Sequence, residues 1–132
     1  MLFVSWTLPH TPYKAHEGYV GHFSQIAIPP NVPDGLATDN AKQCLPDYYG
    51  MIKSLDDEFK RILQALDQAG VADDTIVVYS SDHGDMIGCQ GLKANRWPYE
   101  ESARIPFLIR YPGCNSDGPR EVENILSSTW NS

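Results

Sequence analysis

Basic charge is scarce in this chain. Ten Lys and Arg stand against seventeen Asp and Glu, giving a formal net charge of −7 over 132 residues. A nucleic-acid binder neutralises phosphates with clustered Lys and Arg, so that partner class is excluded. The acidic balance fits a soluble protein and names no partner. Long apolar runs are missing as well. No stretch approaches the roughly 18 apolar residues of a membrane-spanning helix. The opening MLFVSWTLPH has neither the basic start nor the apolar middle of a signal peptide. The three cysteines, Cys44, Cys89 and Cys114, lack the number and spacing of a disulfide framework or a metal site. They read as buried or surface thiols. Internal repeats and low-complexity tracts are absent too. What is present is 42% apolar residues, enough for the core of one domain at most.

Residues 2–6 (LFVSW) read as a short buried strand, broken by a proline-rich stretch after it. A core strand beginning at residue 2 has no lead-in. Residues 13–46 are irregular, punctuated by Pro29, Pro30 and Pro33 and by the Asp34-Gly35 turn. A stretch of that length without periodicity is functional or packs on something else. Residues 47–68 carry Ile52, Leu55, Phe59, Ile62, Leu63 and Leu66 at helical spacing. Pro46 suits the first turn of that helix and Gly70 its stop. The charges at Asp56, Asp57, Glu58, Lys60 and Arg61 form its solvated face. Residues 75–79 (TIVVY) and 105–110 (IPFLIR) read as buried strands. Strand, helix, strand points to an α/β fold with a parallel sheet. The tail, 114–132, is polar and irregular apart from a weak apolar stretch at 122–126.

The first of these strands ends on Asp82-His83-Gly84. In an open parallel sheet, ligands bind beyond the carboxyl ends of the strands. A carboxylate beside an imidazole offers two metal ligands of different hardness. Gly84 allows a sharp turn and a close approach by substrate. The competing reading is a polar turn in which Asp82 caps backbone amides. Three residues alone do not decide between them.

Several longer blocks do. TIVVYSSDHGDM over 75–86, Gly91-Leu92, PYEES over 98–102 and RIPFLIRYPG over 104–113 resemble, together and in order, the type I sulfatases of the alkaline phosphatase superfamily. FVSW over 3–6, PHTPY over 9–13 and YYGMIKSLD over 48–56 match the same pattern. The resemblance covers residues 2–113 and implies a parallel-sheet segment of a single, incomplete sulfatase catalytic domain. It implies a divalent cation, usually calcium, at the sulfate site, with Asp82 and His83 at metal-ligating positions. Calcium prefers oxygen ligands, so the histidine leaves the identity of the metal open. His10 matches the histidine that faces the sulfate ester, while His16 and His22 match nothing and read as surface histidines. In this family a metal and cationic groups offset the charge of the ester, and a hydrated formylglycine attacks sulfur.

The chain departs from the pattern in three ways. The formylglycine precursor, a Cys or Ser in Cys/Ser-x-Pro-Ser-Arg, is absent. Cys44-Leu45-Pro46-Asp47-Tyr48 imitates its start but lies on the wrong side of His10. The paired aspartates that complete the metal site belong upstream of residue 2, and Asp56 and Asp57 cannot replace them. The sulfate-contacting lysine falls at Asn95, so Lys93 takes that role through a shifted loop or the role is lost. Arg96 is a third candidate. The expectation is a sulfuric ester hydrolase represented by a segment inactive on its own. The alternatives are a phosphodiesterase or phosphonate hydrolase of the same superfamily, and a non-catalytic remnant. Exposed sheet edges predict self-association.

Overall fold

A computed structural model describes residues 1–113. The irregular tail, the stretch at 122–126 and Cys114 lie outside the described residues. The elements are a long helix α1 (Leu36–Gln68), a strand β1 (Val77–Ser80), a short helix α2 (Glu100–Ala103) and a strand β2 (Phe107–Arg110). Short 3-10 turns precede α1, precede β1 and follow it.

The helix begins eleven residues earlier than the periodicity suggested, and Pro46 lies inside it. Apolar positions explain the extension. Ala41 and Leu45 continue the buried stripe of Met51 and Leu55 toward the N-terminus, and the proline masks that continuity in the sequence. An interior proline loses one helical hydrogen bond and crowds the preceding turn. Packing offsets that loss here. Ala41 and Leu45 are buried in a cluster with Val32, Met86, Ile87 and Cys89, flanked by Tyr13, Ile26, Ile28, Cys44 and Tyr48. The irregular 13–46 stretch therefore packs on the core, partly as loop and partly as helix. The predicted charged face holds, with Lys53 paired to Asp57 and Arg61 to Glu58.

Both strands read from the sequence form, each starting two residues later than expected and β1 running one residue further, to Ser80, but they are not buried: Val78, Leu108 and Ile109 are half exposed or more. The parallel pairing does not occur between them. β1 and β2 run antiparallel, with Val77 opposite Arg110 and Ser80 opposite Phe107. A long connection is needed for a parallel return but does not enforce one. The strand expected at 2–6 is also absent. Residues 2–6 pair with no strand among the described residues, although the outer edges of β1 and β2 stay open, and Leu2 and Phe3 are exposed. One face of β1 packs on α1, where the Phe59 and Tyr79 rings meet at 5.1 Å.

Candidate active site

The loop after β1 is fixed from several directions. Ser80 Oγ donates to the Pro106 carbonyl at 2.9 Å, and Ser81 Oγ donates to the His83 carbonyl at 2.9 Å. The Gly84 amide donates to the Ser102 carbonyl at 2.8 Å, and the Met86 amide to the Ala94 carbonyl at 3.0 Å. Met86 is fully buried and plugs the loop into the face of α1. Gly84 has a role different from the expected one. Its φ is not positive, and the group that approaches it is the chain's own backbone. A Cβ at this position would meet the Glu101 carbonyl oxygen at 2.1 Å. The missing side chain makes room for α2 rather than for substrate.

Asp82 and His83 emerge side by side. The Asp82 side chain is 87% exposed and that of His83 31% exposed, with Asp82 Oδ2 at 3.6 Å from His83 Nε2. His83 Nδ1 lies 2.7 Å from the Gly84 carbonyl. A carbonyl only accepts, so Nδ1 carries the proton and the Nε2 lone pair of the neutral ring is free. A backbone contact that sets the tautomer of a metal-binding imidazole is a familiar arrangement. Asp82 Oδ1 also accepts the His83 amide at 3.1 Å, so the capping role and the outward-facing Oδ2 coexist in one residue.

The fit to a divalent cation is partial. One imidazole nitrogen and one carboxylate oxygen stand close enough to share an ion, but a hard cation takes about 6–8 oxygen ligands. Among the described residues, no group of three or more His, Cys, Asp or Glu converges into a complete cage.

His10 arrives from the other end of the chain. Its ring lies edge-on to that of His83, with centroids 6.3 Å apart and planes at 67°. Its Nδ1 is 2.9 Å from the Thr11 carbonyl, which leaves Nε2 as the outward nitrogen. Lys93 is exposed, and its carbonyl accepts from Trp97 Nε1 at 3.1 Å. The Asn95 carbonyl accepts from Ser102 Oγ. No hydrogen bond or ion pair joins Lys93, Asn95 or Arg96 to His10, Asp82 or His83 among the described residues. The structure thus brings together His10, Asp82 and His83 and leaves the cationic positions on a neighbouring loop. His16 and His22 are exposed, as expected. Cys44 sits half-buried within α1, against the core.

Three residues that sequence reasoning passed over hold this arrangement. Tyr13 OH donates to Asp85 Oδ2 at 2.7 Å, and Asp85 Oδ1 accepts the Ile87 amide at 3.2 Å. Burial pushes the Tyr13 hydroxyl well above its ordinary range, and the hydrogen bond to Asp85 pushes the same way. Burial likewise raises Tyr48 to about 12, with the Asp85 charge adding to the effect. Ser102, 3% exposed, is bonded both to the Gly84 amide and to the Asn95 carbonyl, linking two loops. Cys89 is held as a thiol, its pKa raised first by burial and then by the charge of Glu101. Tyr13 and Asp85 each lie inside a block carrying the resemblance, but no local pattern pairs two residues so far apart.

Comparison with known proteins identifies the lineage. The Sulfatase family profile matches residues 1–129. An ulvan-active sulfatase from Formosa agariphila is 34% identical over 95% of this chain and 26% of its own length. An arylsulfatase from Clostridium perfringens is 43% identical over 85% of this chain and 27% of its own. Among solved structures, a Bacteroides fragilis protein assigned to the sulfatases superposes with a TM-score of 0.73 at 31% identity, covering 80% of this chain and 24% of that one. A phosphonate monoester hydrolase from Agrobacterium radiobacter gives 0.56 at 34% identity, over 58% and 15%. The chain belongs to the sulfatase family, and its fold is a segment of the alkaline-phosphatase-like α/β architecture. It spans about a quarter of the length of the curated relatives it matches. The family generally uses a divalent metal.

Proposed function

We propose that residues 1–132 form part of one sulfatase catalytic domain and supply the cation and leaving-group side of a sulfuric ester hydrolase site. The observation that carries this reading is the meeting of His10 and His83 at 6.3 Å, with Asp82 beside them. Asp82 Oδ2 and His83 Nε2 are the metal ligands, and calcium is the ion of the complete enzyme. That ion, when bound, offsets the negative charge of the sulfate oxygens. His10 keeps Nδ1–H on the Thr11 carbonyl, so it acts as the imidazolium: Nε2–H faces the ester oxygen and donates a proton or hydrogen bond as charge develops there. Lys93 brings positive charge toward the sulfate through a shift of its exposed loop, with the Asn95 amide as a second donor and Arg96 as the reserve cation. This chain carries no formylglycine motif, so the nucleophile comes from outside these residues and the chain does not turn over substrate alone. The named activities of the ulvan-active sulfatase and the arylsulfatase support a sulfate ester as substrate.

Calorimetric calcium titration tests the reading, followed by addition of inorganic sulfate. Binding that Asp82→Ala removes supports it. Heat unchanged by Asp82→Ala contradicts it. A second reading, phosphonate or phosphodiester hydrolysis on the same residues, is supported by the likeness to the phosphonate monoester hydrolase. Preferential binding of methylphosphonate over sulfate would favour it.

A further inference from the structure

We infer that Tyr13 and Asp85 are a positioning pair that holds His10 against His83. This rests on reading the two histidines as one anion-facing site. His10 has only local hydrogen bonds. Its amide donates to the Thr7 carbonyl at 2.9 Å, and its Nδ1 contacts Thr11. Nothing in that set reaches β1. The first long-range anchor after His10 is the Tyr13 hydroxyl on Asp85 Oδ2. The next is the Ala15 amide on Asp47, at a longer 3.4 Å.

Asp85 is itself immobilised. Its other oxygen accepts the Ile87 amide, and Met86 and Ile87 belong to the buried cluster on α1. The carboxylate therefore connects a rigid plug to the His10 loop. It stands two residues from His83, and Tyr13 stands three from His10. The Tyr13 ring packs edge-on to Tyr48 at 5.7 Å. Tyr48 supplies packing in the same place, and its hydroxyl makes no hydrogen bond among the described residues.

A hydrogen bond with both partners half-buried is directional where packing is not. Removing the Tyr13 hydroxyl leaves the ring and its contacts but frees the loop to slide. The consequence is specific. Asp82 and His83 keep their own backbone contacts, so cation binding persists. Sulfate binding, which needs His10 in place, weakens.

The test uses the full 132-residue chain. Nuclear Overhauser contacts between the His10 and His83 ring protons are measured in the wild type and in Tyr13→Phe, Asp85→Ala and Tyr48→Phe. Calcium and inorganic sulfate affinities are measured on the same samples. The wild type and Tyr48→Phe are expected to keep the ring contact. Tyr13→Phe and Asp85→Ala are expected to lose it while core contacts of Leu45 and Met86 remain. Calcium affinity should stay within about twofold of wild type, and sulfate affinity should fall about tenfold, the scale of one lost hydrogen bond. Asp85→Ala supplies the answer independently if Tyr13→Phe folds poorly. Retention of the ring contact in either of those variants, or its equal loss in Tyr48→Phe, overturns the inference. A wild type blind to both calcium and sulfate refutes the functional reading instead, and the ring contacts still decide the positioning role.

Discussion

Gly84 has no room for a side chain. The atom opposing a Cβ there is a backbone carbonyl oxygen at 2.1 Å, which cannot rotate away as a flexible side chain would. Gly84→Ala should lower the stability by about 1–3 kcal/mol, the usual cost of overpacking, read as a shifted urea midpoint. An unchanged midpoint would show that α2 yields freely. The tyrosines make a separate prediction. Tyr13 and Tyr48 have folded pKa values above their ordinary 10.0, chiefly through burial. The native state then holds protons that the unfolded chain releases, so this contribution is full below about pH 10 and is lost as pH rises toward 12. Ultraviolet titration should find at least two of the seven tyrosines ionising at about 12 or above, with stability falling across the same interval. Asp82, His83 and His10 could be picked out as candidates from the sequence because short blocks carried them; the structure places them near one another, and their roles remain the proposal. Tyr13, Asp85 and Ser102 were not, because their roles are long-range bonds with no local signature. Gly84 was legible as a necessary glycine, but which atoms approach it was not.

Pro46 sits within α1 and hid the first third of that helix from a reading based on periodicity and breakers. Burial of Ala41 and Leu45 outweighs the lost hydrogen bond, so tertiary packing overrides local propensity here. Pro46→Ala should restore that bond and raise stability by up to about 3 kcal/mol, measured by denaturant unfolding. A loss of stability would mean that the helix needs the proline's local bend to reach Met86 and Cys89. The strands were legible in place but not in direction. Apolar runs mark strand propensity rather than burial or direction, and a long connection permits both senses of return, so neither the exposure nor the antiparallel register of β1 and β2 could be read from them. Residues 2–6 have the composition of a strand but pair with no strand among the described residues, which separates β propensity from sheet formation.

Leu108 and Ile109 on β2, and Val78 on β1, are half exposed or more, and among the described residues the sheet has only two strands. Such a pair is marginal in water without further cover, and open edges recruit partners. The isolated chain should therefore self-associate, with light scattering reporting a mass above that of one chain. A clean monomer at high concentration contradicts this. At the centre of the proposed function, His10, Asp82 and His83 form a single cation and oxyanion face. Titrating calcium and then inorganic sulfate into the labelled chain, with the His10 and His83 imidazole resonances followed by NMR, tests it most directly. Calcium is expected to perturb His83, sulfate then to perturb His10, and Asp82→Ala to abolish both responses. Unperturbed histidines at saturating calcium and sulfate, or responses that survive Asp82→Ala, would contradict it.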